Sequence, residues 1–140
     1  MNLPIQNQLM RAATLSALFA STCIIAQAQH MNASDAPCPH AQPEAGQTAC
    51  FVTASKQRDK ELNDFYQQVI KVLKGDHVSR LQSAQHSWLQ FRDATCNAEK
   101  AMYEGGSAQP KVYYACLEAE TRYRIKDLRN TYGWVIEKTR

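Results

Sequence analysis

Three sets of residues in this chain have the types and spacings from which protein chemistry is made. The first is the cysteines. After residue 28 there are four, Cys38, Cys50, Cys96 and Cys116, and an even number in a small exported domain reads as a disulfide framework. Of the three pairings that four cysteines allow, the local one is expected, Cys38 with Cys50 and Cys96 with Cys116, because each bridge brackets a turn-rich stretch. Loops of this size stabilise by about 3 kcal/mol each on the chain-entropy account. Zinc chemistry is a poor match, since no spacing is a short Cys-x-x-Cys and His30, His40, His77 and His86 are scattered. No metal and no other cofactor is expected.

The second set is the acids Asp93, Glu99 and Glu104. Two carboxyls can cleave a glycosidic bond only when a cleft fixes their separation. A thin helical bundle offers no such cleft, so these acids are expected on a solvated helix face. The chain has no Gly-rich phosphate loop, no suggestive Ser-His-Asp context and no free thiol after residue 28. It therefore reads as a protein that binds rather than catalyses.

The third set is polar and periodic. Gln85, Trp88, Arg92 and Cys96 lie at offsets of 3, 7 and 11, so one buried helix face would carry an arginine. A buried guanidinium needs acceptors, which Asp59, Glu104, Asp127 or loop carbonyls could supply. Thr121 and Arg124 share one face of the third helical stretch with Tyr114, Leu117 and Leu128. Gln85, Trp88, Arg92, Glu104, Thr121 and Arg124 are read as structural polar residues. The functional alternative is that one arginine reaches a groove and binds an anion.

Helices must position these groups. From Thr48 to Lys74 there is no Gly or Pro, and Leu62, Phe65, Tyr66, Val69 and Leu73 repeat at three and four, which predicts an amphipathic helix ended by Gly75. A second helix is expected over Asp76 to Tyr103 with Asp76 as its N-cap. Glu104-Gly105-Gly106-Ser107-Ala108-Gln109-Pro110 breaks it. A third runs from Lys111 with Tyr114, Leu117, Thr121, Arg124, Leu128, Tyr132 and Val135 on one face, and Gly133 is expected to fray or bend its end. The fold class is all-α, an up-down-up three-helix bundle stapled by two disulfides. The Cys96–Cys116 bridge would hold the Gly-rich turn in one shape, and a rigid loop loses less entropy on binding. Tyr103, Gly105, Gly106, Ser107 and Tyr113 are accordingly the expected partner-binding residues, while Tyr114 is expected in the core.

The first 28 residues carry one charged side chain, Arg11, followed by the apolar run Ala12 to Ala26 and the small-residue pattern Ala26-Gln27-Ala28, the order of a secretory signal peptide cleaved after Ala28. Thr22 is a poor residue before a lipidated cysteine, so a lipoprotein reading through Cys23 is set aside. The organisation expected is signal peptide 1–28, Pro-rich linker 29–47 and helical domain 48–140. Cleavage would remove Arg11 and no acid, leaving 15 basic against 13 acidic residues, a balance that argues against a nucleic-acid partner. The apolar run is too short to span a bilayer. A periplasmic or secreted protein with a protein partner follows, its oligomeric state open.

Taken together, Asp59-x-x-Leu62-Asn63-x-x-Tyr66, Gln85-x-x-Trp88-x-x-x-Arg92-Asp93-x-x-Cys96, Glu104-Gly105-Gly106-Ser107 and Cys116-Leu117-x-x-x-Thr121-x-x-Arg124-x-x-Asp127-Leu128 resemble the LprI-type lysozyme-inhibitor domain, from about Cys38 to Leu128. Two positions depart from that pattern: Glu120 stands where Leu is usual and is expected to expose or loosen the third helix locally, and Asp127 stands where Glu is usual and keeps the charge. The resemblance implies inhibition of lysozyme. The loop Glu104 to Pro110 would then enter the enzyme's cleft, with Glu104 turned back towards Arg92 or Arg124. The rival expectation is an envelope interaction or stress module that binds another protein or a wall fragment.

Overall fold

The computed structural model describes residues 30–38 and 43–139. The expected signal peptide, Cys23 and the cleavage site lie outside the described residues. A 3-10 turn, His30–Asn32, precedes three helices: α1 (Glu44–Val72), α2 (Asp76–Ala101) and α3 (Gln109–Lys138). Among the described residues there is no strand.

Pro43 fixes the approach to α1, and the Gln47 amide donates to the Pro43 carbonyl at 3.0 Å. The helix therefore starts a turn before the expected Thr48, and Glu44 to Gln47, assigned above to the linker, form its first turn. At its far end Leu73 is extended and Gly75 takes a positive φ of 56°, a conformation that costs most residues but not glycine. Gly75 occupies the N-cap position of α2 without a side-chain cap, so Asp76 is the first helical residue rather than the cap. There its charge still complements the helix dipole. Pro110 stands in the first turn of α3, where its missing N–H would have no intrahelical partner. The helix continues unbroken through Gly133, against the expectation of a frayed end.

Cross-helix pairs give the directions. Cys96 meets Cys116, Arg92 meets Thr121 and Gln85 meets Arg124, so α2 and α3 run antiparallel. Gln47 meets Lys111, Arg58 meets Glu118 and Glu61 meets Arg129, so α1 and α3 run parallel. The result is the up-down-up bundle, with α3 as the helix on which α1, α2 and the 3-10 turn all pack. Serving three neighbours, α3 buries Val112, Ala115, Cys116, Glu118, Ala119, Thr121, Ile125 and Leu128, a wider arc than the single face predicted.

Two apolar clusters hold the ends. Leu62, Val69, Leu81, Ile125 and Leu128 form one, flanked by Phe65, Trp88 and Tyr132. Cys38, Phe51 and Ala115 form the other, with Met31, Ala36 and Tyr114 packed against it, so Tyr114 is a partly buried member of the core. Both expected disulfides are formed, Cys38–Cys50 and Cys96–Cys116.

Cys96 and Cys116 are fully buried, and their bridge closes a separation of 20 residues. Replacing both with Ala is expected to lower unfolding stability by about 3 kcal/mol, read as a fall in the denaturant midpoint with little change in far-UV circular dichroism.

Candidate functional site

Between the two apolar clusters lies a polar layer, reached by all three helices. On the α2 side Arg92 donates through Nη1 to Asp59 Oδ1 at 2.9 Å and to Thr121 Oγ1 at 3.3 Å, and through Nε to Asp93 Oδ1 at 3.0 Å. Arg124 donates through Nε to Gln85 Oε1 at 3.1 Å. Both guanidiniums lie over the Trp88 ring, at 5.3 and 5.7 Å from its centroid, within the range of cation–π attraction. Burial pushes the Arg124 pKa down, opposed by nearby Asp127, but a guanidinium remains charged at any ordinary pH. Five of the six residues expected as structural polar groups, Gln85, Trp88, Arg92, Thr121 and Arg124, thus converge. Asp59 is the acceptor that Arg92 takes from the candidates.

Glu104 does not join them. It is exposed in the turn after α2 and forms no ion pair with a described residue, so the expectation that it folds back to Arg92 or Arg124 is wrong. Arg92 is already held by Asp59 and Asp93, and the turn carries Glu104 beyond the end of the bundle.

On the α1 side the layer contains a residue that the sequence reading missed. The Glu118 carboxylate is buried, and Oε1 accepts from Arg58 Nε at 3.2 Å and from Arg122 Nε at 3.1 Å. Arg58 also binds Glu61 at 2.6 Å, Glu61 binds Arg129 at 2.8 Å, and Arg122 binds Asp35. The available signal was Glu118 four residues before Arg122, an ordinary helical pair; nothing local says that it is buried.

The segment 30–38, read as linker, is a strap across α3. Its His30 Nδ1 lies 2.9 Å from Glu99 Oε2 and Nε2 lies 3.6 Å from Glu120 Oε1. Glu120, expected to loosen α3, is instead half-buried against this imidazole within continuous helix. The hydrogen bond to Glu99 raises the His30 pKa, burial lowers it, the charges of Glu99 and Glu120 raise it and Arg122 opposes them, with a net rise above 6.5. His30, Glu99 and Cys116 come close enough to suggest a metal site, but the Cys116 sulfur is spent in its disulfide and is not a thiolate ligand.

The disulfide end carries the expected contact residues. Gly105 has a positive φ of 76°; the Gly106 amide donates to the Tyr103 carbonyl at 3.0 Å and the Gln109 amide to the Gly106 carbonyl at 3.2 Å. These bonds and the Cys96–Cys116 bridge define the turn. Gly105, Gly106 and Ser107 are exposed, while Tyr103 and Tyr113 are partly buried at its sides. Tyr113 meets Tyr114 edge to face at 5.4 Å, and Lys100 Nζ lies 5.2 Å from the Tyr113 centroid. Lys111, by contrast, is occupied by Glu44 at 3.3 Å and Gln47 at 3.2 Å.

Fold and site define a class: a disulfide-stapled three-helix bundle whose two apolar clusters flank an arginine-rich polar layer and whose one end is a braced, glycine-containing turn. Residues 35–128 match the family described as lysozyme inhibitor LprI, and the chain belongs to that family. It is also similar to a curated protein of Rhizobium meliloti (strain 1021) described only as uncharacterized, at 32% identity over 90 residues, 64% of this chain and 61% of the relative. The similarity therefore spans less than two thirds of that relative's length. No solved structure matches.

Two tests follow from this geometry. Arg92→Leu leaves the Thr121 hydroxyl and Asp59 without their donor and is expected to cost about 1–3 kcal/mol. Arg92→Lys is expected to recover only part of it, because an ammonium cannot replace the guanidinium fork; thermal melts of both variants decide. The His30 clamp contributes fully below about pH 6.5, where the imidazole is protonated in both states, and its contribution is lost as pH rises through the higher folded value. A stability profile against pH is expected to fall across that window in the parent and to be flat there in His30→Ala.

Proposed function

We propose that the mature chain is an exported inhibitor of lysozyme that acts by occluding the enzyme's cleft. Membership of the LprI family carries this reading, and the braced turn at the disulfide end supports it: a binding element already fixed in shape loses little entropy on association. Export is read from the signal-peptide pattern, with cleavage after Ala28 and a periplasmic or secreted destination. The two disulfides agree with an oxidising compartment, and among the described residues no helix is long and apolar enough to cross a membrane.

In this reading Glu104 to Pro110 enters the cleft. Ser107 and the turn's amides hydrogen-bond the two carboxyls that flank the scissile bond in such enzymes, and Tyr103 and Tyr113 pack at the rim, the amphipathic role in which tyrosine is favoured at interfaces. Glu104, being exposed and unpaired, must turn to the water-filled edge of the cleft. The protein itself performs no catalysis. A second reading, an envelope module with another protein partner, draws on the exposed Phe91 and Trp134, which are not part of the turn.

Titration of the oxidised mature chain against a c-type lysozyme acting on cell walls is expected to give stoichiometric inhibition that reduction abolishes. Ser107→Trp is expected to lose inhibition while melting at the parent temperature. No inhibition at micromolar excess of the parent would transfer the weight to the envelope module, and an unchanged Ser107→Trp would remove the turn from the interface.

A further inference from the structure

Lys100 is a cation with an aromatic seat and no acid. Its Nζ lies 5.2 Å from the Tyr113 ring centroid, and among the described residues it has no carboxylate within ion-pair distance. In sequence Glu104 is its i+4 neighbour, the usual helical partner. The helix ends at Ala101, however, and the turn takes Glu104 elsewhere. Lys100 and Tyr113 line a pocket of about 350 Å³ together with Gln109, Pro110 and Tyr114. The Gln109 side-chain amide makes no hydrogen bond to a described residue; only its backbone is used, towards Gly106.

The pocket is braced on both sides. Lys100 follows Cys96 by about one helical turn and Tyr113 precedes Cys116 by about one, so the disulfide fixes the two helix segments that carry cation and ring. A ring face holds an ammonium without consuming its N–H donors, which stay available to an acceptor. An ammonium with free donors beside an uncommitted amide is the chemistry of a carboxylate receptor, since charge-assisted hydrogen bonds are the strong ones.

We infer that Lys100, seated on Tyr113 and assisted by the Gln109 amide, receives an acidic side chain of the partner enzyme. This deepens the lysozyme reading and rests on it. It also answers an electrostatic difficulty: the turn presents Glu104 to an acidic cleft, and a nearly neutral protein has little long-range attraction to offset that. Lys100 supplies the opposite charge at the same end of the bundle.

The test measures inhibition by Lys100→Met, Lys100→Glu and Lys100→Arg at low and at roughly physiological salt, beside the parent. Lys100→Met keeps the apolar stem and is expected to weaken inhibition about tenfold at low salt, with a smaller effect at high salt where screening shortens the interaction. Lys100→Glu is expected to weaken it further and Lys100→Arg to restore it. Calorimetry with lysozyme variants whose cleft carboxyls are changed one at a time to amides is expected to find one against which the parent and Lys100→Met bind equally, the signature of a direct pair. Parent-like inhibition by Lys100→Met and Lys100→Glu overturns the carboxylate receptor and leaves the lysozyme reading standing. A parent that does not inhibit overturns the lysozyme reading, and the receptor falls with it. Equal melting temperatures across the series separate binding from folding.

Discussion

A carboxylate buried in the middle of a small bundle is the constraint on which most of this structure turns. Glu118 lies on the face of α3 that meets α1 and has almost no contact with water. Uncompensated, such a charge costs several kcal/mol. Arg58 and Arg122 both donate to it; Glu61 and Asp35 supply further acceptors, while Arg122 Nη2 is buried without a hydrogen-bond partner among the described residues. One buried charge thereby fixes the position of α1 against α3 and seats the N-terminal strap on α3. Replacing such a pair with apolar groups is often harmless to stability, whereas removing one partner is not, so the cluster acts more on register than on total stability.

The same logic explains why α3 is central. A helix that faces only one neighbour needs one apolar stripe, but α3 faces α1, α2 and the strap. It meets these with different chemistry on different sides: Cys116, Thr121 and Arg124 towards α2, Glu118 towards α1, Glu120 and Arg122 towards the strap, with Ile125 and Leu128 in the apolar cluster that α1 and α2 share. Ala115 and Ala119 are fully buried on this helix, and small residues allow neighbours to approach closely, since interaxial distance follows side-chain size. The polar layer sits between two apolar clusters, so sliding one helix by a turn would strand charges against hydrocarbon.

The same division between local pattern and distant neighbour decides what is legible in the sequence. Gln85, Trp88, Arg92 and Cys96 announce a buried face because their spacing matches one helix period, and Thr121 with Arg124 does so on the partner. Three helices, their order and both disulfides were legible for the same reason: periodicity, glycine breaks and local cysteine spacing are properties of short windows. Glu118 was not, because its burial comes from a second neighbour that a single-face pattern does not reveal. His30 was hidden in a stretch whose prolines suggested a linker, and its anchors, Glu99 and Glu120, are far away along the chain. Glu104 was misplaced because charge type alone named it as an acceptor, while the position of the turn decided against it.

Charge pairing bears on recognition as well as on folding. The long-range field of a chain with nearly balanced charge is weak, and salt at physiological strength screens exposed charges beyond about 8 Å. Many of the arginines here are tied to acids within the bundle or along its surface, so they contribute little outward potential. At the disulfide end, in the proposed mode of binding, the charge offered outward is set by groups such as Lys100 that have no acid beside them among the described residues. The helix segments that carry them are locked by Cys96–Cys116. The buried network around Glu118 and Arg92 commits Arg58, Arg92 and Arg122 to the fold, so these arginines are not free to meet a partner.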